Sequence, residues 1–144
     1  MQNLFIKMIK AQFSGEKIFS NSEEAFSLYE KSRLGEKDRG RIEYGFVEAL
    51  YLFEEGRIEI FVGNKKAGID ILMRRMKKHD KRIETKLGVF RNLRKKGYIV
   101  KTALKFGADF RVYEKGIKPG EDHAKWLLYA VRETEILRWH EFAA

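Results

Sequence analysis

The sequence contains no cysteine, a single proline and no long apolar run. The lack of cysteine excludes disulfides, thiolate metal sites and a cysteine nucleophile, and it suits the reducing cytosol. No apolar stretch approaches the roughly 20 residues that a membrane-spanning helix needs. The first residues, which Lys7 and Lys10 interrupt, are not typical of a signal peptide. We therefore expect a cytoplasmic protein without a membrane segment.

Clusters of metal-ligating residues are also missing from the sequence. The three histidines, His79, His123 and His140, are far apart, and none forms a ligand pattern with nearby carboxylates. We expect His79 and His140 to be surface residues. The sequence therefore predicts neither a metal site nor a cofactor.

Positive charge, by contrast, is in excess. Lys and Arg number 30 against 21 Asp and Glu, which gives a net charge of +9. Such an excess raises affinity for polyanions, above all for nucleic acids, although a solvated basic surface explains it equally well. Since 44% of the 144 residues are hydrophobic, the chain can bury one ordinary core or two small ones.

The first half of the chain alternates between strand and helix patterns. Residues 4–13 and 17–19 predict a hairpin, and Asn21-Ser22 offers an N-cap for a helix that ends near Gly35. Apolar residues at a 3.6-residue period predict a helix over residues 39–55. A strand at 57–61 and a helix at 64–78 are expected to follow.

A charged segment at residues 77–82 contains no apolar side chain. We place a domain boundary near residue 78, between an N-terminal αβ domain at 1–78 and a second domain at 79–144. One long exposed helix through this segment is the alternative.

The second half changes from a helix to strands, so the whole chain is predicted to be α+β with a mixed sheet in its second domain. Residues 126–131 form a continuous apolar run, which is typical of a central strand covered on both faces, with Trp126 in the core. The predicted elements are a helix at 83–96, strands at 98–104, 109–113 and 126–131, a loop at 117–122 and a helix from 134.

Tyr113 and His123 combine complementary chemistry with favourable placement. Tyr113 ends one predicted strand and His123 opens the next, so both are expected at the same sheet edge, facing a common cleft. Histidine titrates near neutral pH and can protonate a leaving group, whereas tyrosine becomes a base when cations lower its pKa. Together with a cation, such a pair can cleave RNA without metal, leaving a 2′,3′-cyclic phosphate and a 5′-hydroxyl.

Three segments of this half resemble the catalytic domain of archaeal tRNA-splicing endonucleases (tRNA-intron lyases). They are FRNLRKKG at 90–97, KTALKFGADFRVY at 101–113 and HAKWL at 123–127. An earlier EALYL segment at 48–52 resembles a helix of the same family. The resemblance implies a metal-independent endoribonuclease that excises introns from precursor tRNA at bulge-helix-bulge junctions. It also implies that Tyr113 is the general base and His123 the general acid.

The resemblance further implies an assembly of endonuclease subunits, as a homo- or heterotetramer. It also implies a third catalytic residue, a lysine, after a segment like R-x-A-x-S-x-R-K that this sequence does not contain. We therefore expect a C-terminally truncated nuclease domain, and we assign neither Lys105 nor Lys125 to that role. The alternatives are a non-catalytic RNA-binding subunit of the same assembly and a basic RNA-binding module unrelated to splicing.

Several basic residues around the motif are candidates for RNA contact, although a solvated basic face explains them too. Asp109 is expected to anchor a turn or to pair with a nearby arginine. The candidate RNA-binding residues are Lys101, Lys105, Arg111 and Lys125.

Overall fold

A computed structural model describes residues 7–103, 108–117 and 124–130. Helices and strands alternate through these ranges, which confirms the predicted α+β class. The helices are α1 (Glu23–Ser32), α2 (Phe46–Glu54), α3 (Ile69–Lys77) and α4 (Ile83–Lys95). The strands are β1 (Ile9–Ser14), β2 (Lys17–Ser20), β3 (Glu36–Asp38), β4 (Arg41–Tyr44), β5 (Ile58–Val62), β6 (Lys65–Lys66), β7 (Ile99–Thr102), β8 (Phe110–Tyr113) and β9 (Trp126–Leu128).

The first six strands form one sheet in the order β3-β4-β2-β1-β5-β6. Its strands alternate between buried and outward-facing residues; in β1, Ile9, Ala11 and Phe13 point into the core. Helices α1 and α2 contact this sheet. Ser22 caps α1 as predicted, because its side chain accepts a hydrogen bond from the Ala25 N–H at 3.2 Å.

The predicted helix over residues 39–55 is wrong in its first part, where the chain forms β4. Ile42 and Tyr44 point inward at strand spacing, and Tyr44 lies opposite Ile18 in β2. The helix begins only after Gly45, whose extended backbone serves as the N-cap. Glu48, three residues into α2, accepts the Gly45 N–H at 2.9 Å and so fixes this start.

The predicted helix over 64–78 is likewise too long. Lys65 and Lys66 form β6, which pairs with β5 across a turn at Gly63, where φ is 64°. The single long helix through 77–82 is absent, since α3 ends at Lys77 and α4 begins at Ile83. One hydrophobic cluster runs through both halves, and the Tyr51 and Phe90 rings of α2 and α4 meet edge-on at 5.4 Å. The boundary near residue 78 stays a prediction.

The described strands of the second half form an antiparallel sheet in the order β7-β8-β9. Phe110 and Val112 of β8 are buried, and the Phe110 ring lies 5.8 Å from that of Phe90. Within the described residues β9 is an edge strand, and Trp126 and Leu127 are 38% and 47% exposed. The prediction of a fully covered strand with Trp126 in the core is therefore wrong for this part of the chain.

Trp126 is on the same face of the strand as Leu128 and Ala130, but it lies at the start of β9, at the margin of the hydrophobic cluster. Leu128 and Ala130 pack against the cluster, whereas Trp126 contacts Tyr98 edge-on at 5.7 Å. The helix predicted from residue 134 and most of the loop at 117–122 lie outside the described residues. No helix of the described ranges is long and apolar enough to cross a membrane.

Candidate active site

Tyr113 ends β8 opposite Ile99 of β7, and only 4% of its surface is exposed. Since residues two apart on a strand point the same way, Tyr113 shares a face with Arg111. The Arg111 Nη1 lies 3.4 Å from the Tyr113 hydroxyl oxygen. A guanidinium therefore stands directly beside the phenol that the sequence singled out.

Arg111 is held in this position by the neighbouring strand. Its Nε donates a hydrogen bond of 2.7 Å to the carbonyl oxygen of Thr102, at the end of β7. One nitrogen thus anchors the side chain while another faces the phenol oxygen. A cation fixed beside a phenol could offset the negative charge of a phosphate placed there.

His123 lies outside the described residues, and so does Lys105. The chain is described again from Ala124, and the Lys125 N–H donates to the carbonyl oxygen of Val112 at 2.9 Å. Two residues after His123, the backbone is therefore bonded to the residue that precedes Tyr113. The Lys125 ammonium is exposed, pairs with Glu114 and lies 5.2 Å from the Trp126 ring centroid.

Asp109 pairs with an arginine, as the sequence predicts. Its carboxylate accepts two hydrogen bonds from Arg82, at 3.2 and 2.8 Å, and one from the Ala130 N–H at 2.8 Å. Burial opposes ionisation, but these bonds and the charges of Arg82 and Lys86 outweigh it, so the pKa of Asp109 is lowered. The carboxylate therefore ties the end of β9 to the start of β8 and to α4, and its role is structural.

Lys101 is a structural cation too, which removes it from the candidate RNA contacts. Only 3% of it is exposed, and its ammonium donates to the carbonyl oxygens of Arg33 and Gly35 and lies near Glu48. Arg94 bridges the same two parts of the chain, with bonds of 2.6 Å to the Ser32 carbonyl and 3.1 Å to the Val100 carbonyl. Burial lowers the pKa of Arg94.

Sequence reasoning missed two residues, Glu48 and Arg82, that support the strands of this site through hydrogen bonds. Glu48 was read as one letter of a helix motif, yet it is 4% exposed and accepts the Gly35 N–H at 2.7 Å. Arg82 was read as part of the charged segment at the predicted domain boundary, yet it binds Asp109. A signal for Glu48 exists, because a carboxylate three residues after a candidate N-cap glycine indicates a capping contact. The described residues contain no group of three potential metal ligands.

Comparison with known proteins covers both halves of the chain. Residues 9–73 match the family model of the tRNA intron endonuclease N-terminal domain, and residues 83–144 match that of its catalytic C-terminal domain. The tRNA-splicing endonuclease of Thermococcus onnurineus is 38% identical over 88% of this chain and 72% of its own length. The enzyme of Pyrococcus furiosus is 35% identical over 95% of this chain and 79% of its own length. The enzyme of Nanoarchaeum equitans is 37% identical over 71% of this chain and 70% of its own length.

Proposed function

Since the chain belongs to the tRNA-splicing endonuclease family, an enzyme family, we propose that it cuts precursor tRNA at bulge-helix-bulge junctions. Cleavage leaves a 2′,3′-cyclic phosphate on one product and a 5′-hydroxyl on the other. The observation that carries the proposal is the contact between Tyr113 and Arg111, 3.4 Å apart, at the end of β8. We assign residues 1–78 to an N-terminal domain and 79–144 to the nuclease domain.

Tyr113 acts as the general base in this proposal. It takes the proton of the ribose 2′-hydroxyl, and the freed oxygen attacks the adjacent phosphorus. The bond from phosphorus to the 5′-oxygen then breaks as the cyclic phosphate forms. The position of Tyr113 at a strand end, with its hydroxyl against a cation, supports this role.

His123 acts as the general acid and delivers a proton to the departing 5′-oxygen. The support is its place in the sequence, two residues before Lys125, whose backbone is bonded beside Tyr113. Negative charge that builds on the non-bridging phosphate oxygens is offset by Arg111. We assign contact with the flanking phosphates to Lys105 and Lys125.

We further propose that the enzyme works as an assembly of such subunits, as a homo- or heterotetramer. The support is the apolar surface of the described part of β9 and its continuation, where Trp126, Leu127 and Tyr129 are 38%, 47% and 42% exposed. Exposed apolar side chains at a sheet edge favour association. Light scattering of the purified protein measures the assembly state.

The catalytic assignment is tested by replacing the two residues separately. Tyr113→Phe removes only the hydroxyl, and His123→Ala removes the acid; each is expected to slow single-turnover cleavage by about 10²–10⁴-fold. Binding of precursor tRNA should stay within a few-fold of that of the unmodified protein. Tyr98→Phe, which removes a phenol hydroxyl from the same sheet region, is the matched control and should cleave normally.

The same assay separates a catalytic subunit from a non-catalytic one. The cyclic phosphate is identified by its resistance to phosphatase, which is lost after acid opening, and the 5′-hydroxyl by direct phosphorylation with polynucleotide kinase and ATP. A protein that binds precursor tRNA but yields no such ends, with or without Tyr113→Phe, would be the non-catalytic RNA-binding subunit.

A further inference from the structure

The N-terminal sheet has an outer face that none of the described helices covers. Helices α1 and α2 pack on the opposite face, where Ile9, Ile18 and Ile60 are buried. On the outer face, Gln12 of β1 lies between Phe19 of β2 and Phe61 of β5, its partners in the strand register. Neighbouring strands are about 4.8 Å apart, so the two aromatic side chains stand about 10 Å apart across three central strands.

A concavity of about 550 Å³ opens between these side chains. Its lining includes Phe19, Phe61 and Gln12 together with three cations, Lys10, Arg39 and Arg41. None of the described residues that line it is acidic. The concavity therefore combines aromatic surface, a side-chain amide and positive charge. The neighbouring carboxylates of the same face, Glu43 and Glu59, are paired with Arg41 and Lys66, so Lys10 and Arg39 are the cations that an anionic ligand would meet.

Phe19 and Arg41 form a stacked pair within this site. The Arg41 guanidinium carbon lies 3.9 Å from the Phe19 ring centroid, and its Nη2 donates to Glu43 at 2.9 Å. The ion pair with Glu43 holds the guanidinium plane in place over the ring. Guanidinium planes and aromatic rings are both surfaces on which unpaired nucleobases stack.

Arg39 lies at the rim of the concavity, in a turn position that does not favour arginine. It occupies the turn between β3 and β4 with Gly40, and both have positive φ angles, 52° and 82°. Such turns prefer asparagine or glycine at these positions, because other side chains are strained there. The Arg39 side chain is nevertheless 92% exposed and meets Asp38 only at 4.0 Å. Its head group is thus available to a ligand.

We propose that this concavity, the open-face site, binds unpaired nucleotides of RNA. Bases stack on Phe61 and on the Phe19–Arg41 pair, while backbone phosphates lie against Lys10 and Arg39. Paired bases cannot stack in this way, so single strands bind better than duplexes. The inference rests on the proposed function only in taking RNA as the substrate.

The open-face site lies on the side of the sheet away from the nuclease half. Helix α2 packs between this sheet and α4, and α4 in turn contacts β7. The site is therefore a second contact with the RNA, separate from Tyr113. It contributes affinity for the substrate and leaves the chemical step unchanged.

Fluorescence anisotropy with a labelled single-stranded oligoadenylate and an RNA duplex tests the proposal. The double variant Lys10→Glu with Arg39→Glu should weaken single-strand binding by about tenfold or more, and should reduce the slope of log affinity against log salt by about 1.4. Phe61→Ala should also weaken it about tenfold without changing that slope. Arg39→Asn relieves the strained turn and keeps the fold, so it isolates the lost charge.

The matched control is Lys31→Glu with Lys78→Glu, the same change in charge at exposed residues of the helical side. It should leave single-strand affinity within about twofold, and neither double variant should change the cleavage rate of a saturating splice-junction RNA. Thermal unfolding checks that the variants fold. If Phe61→Ala does not fold, the charge variants alone test the proposal.

Three results would overturn the proposal. The first is an equal loss of affinity in both double variants, which would mean diffuse attraction. The second is an equal loss for duplex and single strand. The third is a change in assembly state by light scattering with unchanged RNA affinity, which would make this face a contact between copies of the chain. Normal cleavage by Tyr113→Phe would instead overturn the proposed function and leave the open-face site standing.

Discussion

Lys101 of β7 and Glu48 of α2 meet in the interior between the two halves of the chain, with 3.4 Å between Nζ and Oε2. Their side chains are 3% and 5% exposed. Lys101→Met leaves the carboxylate without its cation and the Arg33 and Gly35 carbonyls without their donor. We expect a loss of about 3–5 kcal/mol of unfolding free energy, measured by urea denaturation.

Lys125→Met is the control, because that exposed side chain forms a surface ion pair with Glu114 and a contact with the Trp126 ring, and its loss should cost about 1 kcal/mol or less. The Glu48→Gln, Lys101→Met double variant should lose less unfolding free energy than the two single variants lose together, and the difference should be about 1 kcal/mol or more. A Lys101→Met protein of normal stability but weakened RNA binding would return Lys101 to the RNA contacts.

Asp109→Asn should destabilise the protein by about 2 kcal/mol or more at neutral pH, because it weakens the bonds to Arg82 and to the Ala130 N–H. The pKa of Asp109 is lowered in the folded state. Its contribution is therefore complete above the unfolded value of about 3.9 and is lost as the pH falls through the folded value. Thermal melts between neutral and acidic pH measure both effects.

Asp109→Asn and the unmodified protein should therefore have similar unfolding free energies at acidic pH. Asp70→Asn, at an exposed position in the first turn of α3, is the control and should cost less than about 1 kcal/mol. A stability difference for Asp109→Asn that stays constant down to acidic pH would show that the ionised carboxylate is not what holds β9.

Arg111→Ala should slow cleavage at saturating RNA by about 10²–10³-fold, as expected for the loss of a fixed cation beside the reacting group. Arg111→Lys keeps the charge but loses the planar group that bonds the Thr102 carbonyl oxygen, so its cleavage rate should lie between that of Arg111→Ala and that of the unmodified protein. Single-turnover rates measure this, with Lys96→Ala as an exposed control. Unchanged saturating rates with weaker binding would make Arg111 a docking residue only.

The sequence allowed the strands around the motif to be predicted, because each is short and ends at a recognisable signal. Strands at 98–104 and 109–113 were confirmed as β7 and β8 with shorter bounds. The helix predicted over 39–55 was confirmed in its second part as α2, and its first part was wrong because Ile42 fits both a 3.6-residue and a two-residue period. Only Gly45, which separates β4 from α2, distinguishes the two patterns.

Basic side chains could not be sorted from the sequence, because burial decides their role. Lys101 and Arg111 are partners across β7 and β8, yet the first is buried against Glu48 while the second faces Tyr113. Cross-strand partners lie on the same face of a sheet, and strand alternation does not predict which part of that face another element covers. The partners of Lys101 come from more than 50 positions earlier in the chain, and that pairing is a tertiary property.

Cleavage is expected to need no divalent metal, because a tyrosine, a histidine and an arginine supply the base, the acid and the cation. The rate should be unchanged in EDTA with spermidine or high monovalent salt added to keep the RNA folded. Chemical probing of the RNA under the same conditions is the control. Activity that disappears in EDTA with folded RNA, and returns with magnesium, would contradict the assignment.

The division of labour between Tyr113 and His123 is tested most directly with a substrate whose leaving 5′-oxygen is replaced by sulfur. A thiolate leaves without protonation, so the general acid becomes dispensable while the general base does not. The account predicts that His123→Ala cleaves this substrate at close to the unmodified rate, and that Tyr113→Phe stays slow by about 10²-fold or more. Rescue of Tyr113→Phe, or no rescue of His123→Ala, would contradict it.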